Sequence, residues 1–350
     1  MIQSVRKKQT SKRETVMKLG IKFNVTLSVL ASALCGSAIA AAPDYKIVDT
    51  IQIGGAAKWD YLYADSAAHR LYVAHGTQTE VIDTQTNKVI GTIADTQGVH
   101  GVAIAGELGV GFTSNGASNT VGVFDLTTLK VINSIGVGTK PDSIVYAPAS
   151  HKVVTFNGKS GNASIIDAKT LKVVATVDVG GKPEFSVIGA DGNVYFNLED
   201  KGEIASINLT TDKLGKHYSL KPCESPTGLA IDEQQNLFSV CENNLMMVTS
   251  TAGKHIAQLK IGSGPDGVAY MDGYAFSANG ADGNISVVGT VNGKFQTVAT
   301  IPTQLGARTI AADPATHRLY LPTADFKPAA GEEKRQGIPD TFRVLVLQKQ

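Results

Sequence analysis

A motif of apolar strand, Asp, turn, Lys and apolar strand returns about every 40 residues, and it confines the chain to repeat architectures. It reads EVIDTQTNKVIGTI at 80–93, VGVFDLTTLKVINSI at 121–135 and ASIIDAKTLKVVATV at 163–177. Weaker copies follow as IASINLTTDKLGKHY, LMMVTSTAGKHIAQL and ISVVGTVNGKFQTVA. The aligned turn positions Asp83, Asp125, Asp167, Asn208, Thr249 and Gly289 lie 42, 42, 41, 41 and 40 residues apart. Each step is the length of one four-stranded propeller blade. Asp or Asn at this place accepts hydrogen bonds from the turn backbone, which accounts for its recurrence without a catalytic role.

Ahead of each hairpin stands an inner pair of strands, as in AHRLYVAHG, HKVVTFNG, GNVYFNLED and HRLYLPTAD. Short apolar or alternating strands bounded by Gly, Asn and Asp suit antiparallel blades. Inner strands open at Asp60, His100, Asp142, Glu184, Thr227, Asp266 and Arg308, giving seven blades. The seventh has three strands of its own, ending in FRVLVLQ at 342–348. YKIVDTIQIGG at 45–55 matches the outer strand LKVVATVDVGG at 171–181. The expected fold is therefore an all-β, seven-bladed β-propeller of four-stranded antiparallel blades over residues 44–350. The first strand after the leader closes the ring and removes the open edges.

The N-terminal stretch is set apart from this fold. Lys18 and Lys22 precede an apolar run from Val25 to Leu34, and Ala38-Ile39-Ala40 offers a small-residue cleavage site. Residues 1–40 read as a secretory signal peptide, with Met17 as the initiator or, alternatively, a longer basic leader. The apolar run is too short to span a bilayer, so no membrane span is expected after cleavage. Without residues 1–40 the chain keeps 25 basic and 30 acidic residues, a formal charge of −5 in place of +1. An acidic surface gives no general reason to bind nucleic acid. A periplasmic or secreted monomer is expected.

The 40-residue period, with LYVAHG, KPDSIVY and RLYLPTAD at matching blade positions, resembles the bacterial YncE-like family of exported YVTN-repeat propellers. The closing stretch GARTIAADPATHRLYLPTADF carries the same resemblance, although a literal YVTN tetrapeptide is absent. The resemblance implies the fold and export. It implies no shared activity and carries no catalytic residues.

Several enzyme-like strings fail on context. Gly262 to Gly267 fits G-x-G-x-x-G but contains Pro265, joins two strands and opens no helix. Gly158-Lys159-Ser160 lacks the upstream Gly of a phosphate loop. Trp59-Asp60 opens a blade, whereas the WD dipeptide closes one. There is no C-x-x-C-H, H-E-x-x-H or G-x-S-x-G, and no cofactor is predicted. Cleavage leaves two cysteines, Cys223 before blade 5 and Cys241 at the end of its second strand. Both belong to one propeller face, and in an oxidising compartment they read as a disulfide, with a metal site or two free thiols as the alternatives.

Successive strands reverse direction, so the start of the inner strand and the end of the second strand share that face. The first position gives a ring at the channel mouth: Asp60, His100, Asp142, Glu184, Thr227, Asp266 and Arg308. The second gives a wider ring: His75, Asn115, Asn157, Asn197, Cys241, Asn279 and Thr323. Crowded carboxylates raise one another's pKa and favour a bound cation, a divalent metal included. The competing reading ties loop backbones and channel waters together. Asn115, Asn157 and Asn279, each followed by Gly, read as turn formers in left-handed backbone. His69, His151 and His317 recur in turns on the opposite face. Residues 325–341, rich in Pro and charge, form a long insertion in blade 7, rooted on the ring face and expected to act as a lid.

The functional expectation is a binding or scaffold module for a small polar or cationic ligand or a partner protein. The alternative is a metal-assisted hydrolase or lactonase with Asp60, Asp142, Glu184 and Asp266 as metal ligands and His100 as base. A redox partner protein has less support, since no haem or copper motif is present.

Overall fold

In the computed structural model, residues 43–328 and 336–350 are described, and the expected signal segment 1–40 lies outside them. Seven four-stranded antiparallel sheets form the propeller expected from the repeat. Among the described residues the one helical element is a 3-10 turn at Gly106–Leu108. Blade 7 consists of Ala311–Asp313, Arg318–Thr323, Arg343–Lys349 and, as its outermost strand, Tyr45–Gln52. That last pairing runs from Tyr45 opposite Lys349 to Gln52 opposite Arg343, so the ring closes as expected.

The burial gradient follows from stacking sheets face to face. Second strands such as Arg70–His75, Val110–Asn115 and Lys152–Asn157 are buried over their last five residues, because both of their faces meet a neighbouring blade. Each of the seven second strands carries one fully buried aromatic: Tyr72, Phe112, Phe156, Phe196, Phe238, Phe276 and Tyr320. Between blades 6 and 7, for example, Phe276, Ile285 and Val287 pack on Leu319, Leu321, Leu345 and Tyr45. Outer strands are largely exposed, and the pairing of third with outer strand shifts register once in every blade. A bulge of this kind twists an edge away from further pairing.

The recurrent turn acid performs its expected local task. Oδ1 of Asp83 accepts from the backbone N–H of Gln85 at 3.0 Å and of Thr86 at 2.7 Å. Asp125, Asp167 and Asn208 repeat this arrangement with the second and third residues after them.

A second set of hydrogen bonds crosses between blades around the channel. Going round the ring, Tyr61 N–H donates to His100 O (3.0 Å), and the Ser114 hydroxyl donates to Asp142 O. Ser143 and Ser186 share a hydroxyl bond of 2.7 Å, and Asn197 Nδ2 donates to Thr227 O at 2.9 Å. Thr227 donates to Pro265 O (3.4 Å), Gly267 N–H to Arg308 O (2.8 Å) and Thr309 to Asp60 O (2.7 Å). The backbone that carries the first ring is thus itself a link between blades. At blades 5 to 7 the approach is closest. A Cβ on Gly228 would stand 2.6 Å from Asp266 O, and one on Gly267 would stand 2.9 Å from Thr309 Cα. A cavity of about 260 Å³ lies beside the inner strands of blades 1 to 4, between Tyr61, Tyr63, Tyr146 and Phe185.

Candidate ligand site at the channel mouth

Six of the seven first-ring residues fall into three groups, each joining carboxyls to a basic side chain. His100 Nδ1 is 2.5 Å from Asp60 Oδ2 and 3.6 Å from Asp142 Oδ1. Burial pulls the His100 pKa down, but the Asp60 hydrogen bond and the charges of Asp142 and Asp60 outweigh it and hold it above its ordinary value. Burial pushes Asp142 up to about 6 against the pull of His100. One donor atom from each of Asp60, His100 and Asp142 lies within 4.8 Å of the others.

The second group is Glu184 with Lys182 and Glu199. Lys182 Nζ is 3.0 Å from Glu184 Oε1 and also pairs with Glu199. Burial, reinforced by the Asp142 charge and by Glu199, pushes Glu184 up to about 9, so it carries a proton at neutral pH. In the third group Arg308 Nε donates to Asp266 Oδ2 at 2.7 Å, and Nη2 donates to Trp59 O at 3.0 Å. Burial holds Asp266 above the usual carboxylate range even with Arg308 beside it. Thr227, the remaining member, spends its hydroxyl on Pro265 O. Below the ring, Tyr61 packs edge-on against Phe185 with centroids 4.6 Å apart. Burial and then the charges of Asp266, Glu184, Asp60 and Asp142 drive its phenol well above the ordinary range.

The outer ring points into the blades. His75 Nδ1 meets Glu80 Oε1 at 2.9 Å, its Nε2 meets Ala56 O at 2.7 Å, and its ring stacks on Phe342. Asn197 donates to Thr227 O and Gly228 O and accepts from Ser239. Asn279 donates to Asn284 and Ser286 and accepts from Ser277. Asn157 donates to Asn162 and Ser164, and Asn115 reaches Thr120 at 3.5 Å. Thr323 donates to Leu305 O at 2.9 Å. Cys241, the blade 5 member, is joined to Cys223 in a disulfide with Cα atoms 5.5 Å apart.

The expectation of left-handed backbone at Asn115, Asn157 and Asn279 is corrected. The positive φ values in these turns belong to Asn119, Gly161 and Gly283. Two of the glycines that follow the asparagines make room for first-ring side chains. A Cβ on Gly116 would lie 2.7 Å from His100 Nε2, and one on Gly280 would lie 2.7 Å from Arg308 Cβ. On the opposite face His69, His151 and His317 do take positive φ, and His317 pairs with Asp272 of the neighbouring blade at 2.8 Å.

Above the ring lies a cavity of about 1100 Å³, off-centre toward blades 1, 2, 6 and 7. Lys58, Trp59, Asp60, His100, Arg308 and Phe326 line it, with Gly76, Gly98, Gly280, Gly306 and Gly337 forming smooth wall. Asp142, Glu184 and Asp266 are not in this wall. Trp59 is stacked on Phe342 at 5.6 Å, meets the edge of Phe326 at 6.2 Å and carries the Arg308 guanidinium over its ring at 5.4 Å. Phe326 comes from the blade 7 insertion. There Lys327 N–H bonds Gln336 O, and Ile338 N–H bonds Asp325 O, making a ribbon whose root Arg343 and Gln304 grip through Asp325. Residues 329–335, which hold the tip of the expected lid, lie outside the described residues.

The sequence does not single out Lys182, Glu199 or Phe326, and Trp59 enters there only as the neighbour of Asp60 at the opening of blade 1. One signal was present for the lysines: Lys58, Lys140 and Lys182 each stand two residues before a ring carboxylate, at Asp60, Asp142 and Glu184.

No family model matches this chain, and no curated protein matches it. Among solved structures it is similar to Kuenenia stuttgartiensis hydrazine synthase, with a TM-score of 0.66 and 17% identity over 78% of this chain and 94% of that one. At that identity the likeness establishes the propeller fold alone. With 1701 solved chains matching, the fold by itself selects no function.

Proposed function

We propose that this is an exported propeller of the YncE-like kind that binds a small polar ligand in the cavity over Asp60, His100 and Arg308. The observation that carries the reading is the cavity itself. At about 1100 Å³ it has the scale of a small-molecule site, with aromatic walls and a few convergent polar groups. This scale favours a small ligand over a partner protein. A cationic ligand is less favoured than the acidic ring implies, because His100 pairs with Asp60, Arg308 with Asp266 and Lys182 with Glu199, and Glu184 holds a proton. Export is supported by the leader at 1–40 and by the Cys223–Cys241 disulfide, which suits an oxidising compartment.

The test is to denature protein isolated from its own host and identify released small molecules by mass spectrometry. A stoichiometric molecule that is lost in the Asp60→Asn, His100→Asn double variant supports the reading. Equal release from folded wild type and variant sinks it.

Metal-assisted hydrolysis is the second reading, favoured by the convergence of Asp60, His100 and Asp142. Two carboxylates and an imidazole suit zinc or manganese. At 2.5 Å, however, His100 Nδ1 and Asp60 Oδ2 are spaced to share a proton, so the metal would have to displace it. Elemental analysis after purification without chelators decides this, since less than stoichiometric divalent metal removes the case.

A further inference from the structure

We propose that the cavity takes a small organic anion with a planar apolar body, an aromatic carboxylate or phosphate ester; this rests on the reading of the cavity as a ligand site. The wall holds three cationic or proton-bearing side chains, Lys58, His100 and Arg308, against one carboxylate, Asp60. Of the acceptors of Asp60, Oδ2 is engaged by His100 at 2.5 Å, and Oδ1 faces Arg308 Nη2 at the ion-pair distance of 3.9 Å. Asp142, Glu184 and Asp266 stand outside the wall: Glu184 pairs with Lys182, while Asp142 and Asp266 take one contact each from His100 and Arg308 of the wall.

Donors, by contrast, are left over. Arg308 commits Nε to Asp266 and Nη2 to Trp59 O, and among the described residues its Nη1 has no acceptor. Lys58 is exposed and likewise without an acceptor among the described residues. A wall rich in donors and poor in acceptors selects a ligand made of acceptors, and guanidinium groups favour carboxylate or phosphate. Phe326, half-buried and lining the cavity, adds apolar ring surface for the planar body.

Trp59 is the only tryptophan in the chain, so its emission reports on this wall alone. Titration with benzoate, phenyl phosphate, benzyl alcohol and benzylamine should give saturable quenching with at least one anion. That anion should bind at least about tenfold more tightly than benzylamine or benzyl alcohol, the ratio expected for a charge-assisted contact. Arg308→Gln should weaken it about tenfold. Because Arg308 also links blades, Lys58→Gln provides a second variant at an exposed position, with about threefold weakening expected. Benzylamine or benzyl alcohol binding as tightly as the anions overturns the anionic class and leaves the ligand site standing. Unchanged anion affinity in both variants does the same. If no probe saturates below about 10 mM, both readings fall.

Discussion

Asn197 and Asp60 lie on the same face of the propeller, at the two positions that every blade contributes there, yet their surroundings are opposite. Asn197 is fully buried and spends its amide on Thr227 O, Gly228 O and the Ser239 hydroxyl, tying blade 4 to blade 5. Asp60 forms part of a cavity wall, hydrogen-bonded to a histidine that also faces a second carboxylate. The difference follows from what lies alongside. The ends of second strands are flanked by neighbouring blades on both sides, and a polar side chain there must find protein partners. The starts of inner strands border the channel, where Asp60, His100 and Arg308 stay partly open while Asp142 and Glu184 are buried. The outer ring fixes the blade ends, with Asn197 alone among its asparagines bonding to the next blade, while the inner ring links blades through its backbone and turns side chains toward the cavity.

The comparison can be broken from the outer side first. Cys241 is the outer-ring member of blade 5, and its disulfide closes a loop with a sequence separation of 18 residues. Replacing both Cys223 and Cys241 by Ala should cost about 3 kcal/mol of stability, read as a lower urea midpoint that reductant no longer affects. Asn197→Ala should cost about 2 kcal/mol, because it strands two carbonyls and a hydroxyl in a dry site. If urea melts show no loss for Asn197→Ala, the outer ring is not the brace described.

The inner ring should respond with the opposite sign. Folded, Glu184 keeps its proton up to about pH 9, whereas an unfolded chain releases it near 4.5. Stability contributed at this site therefore falls as pH rises between those values. Glu184→Gln should flatten that decline and gain about 1 kcal/mol at pH 8, with Lys182 and solvent offsetting part of the benefit. A melting profile across pH identical to that of the wild type would place Glu184 among ordinary ionised carboxylates. Smallest in stability is Phe326→Ala, at about 1 kcal/mol, since Phe326 is half-buried and sits on a ribbon outside the blades. It should nonetheless move the Trp59 emission to longer wavelength as the indole loses cover.

What the sequence makes legible divides along the same line. Period and turn chemistry are local, so the seven blades, the Asp83-type turns and even the closing strand could be read from spacing. The first ring could be placed by alignment for the same reason. Its pairing could not, because Arg308 reaches Asp266 across 42 residues and Trp59 O across 249. Nor does spacing tell a glycine that shapes a turn from one that clears space. Gly116 and Gly280 follow asparagine as turn glycines do, and their role emerges only once His100 and Arg308 lie against them. The cavity wall depends on Phe326, whose approach to Trp59 is set by a ribbon with no counterpart in the other blades.

The closing pair of strands, Tyr45–Gln52 on Arg343–Lys349, also bears on how copies of this chain behave toward each other. Every other outer strand is tethered to its partner by a short turn, whereas this one reaches its place from the far end of the sequence. An identical strand from a second molecule offers the same hydrogen bonds and the same Tyr45 and Ile51 side chains. Refolding at high concentration thus sets intramolecular closure against strand exchange, and exchanged rings would have complete blades throughout. Dilution favours the closed monomer.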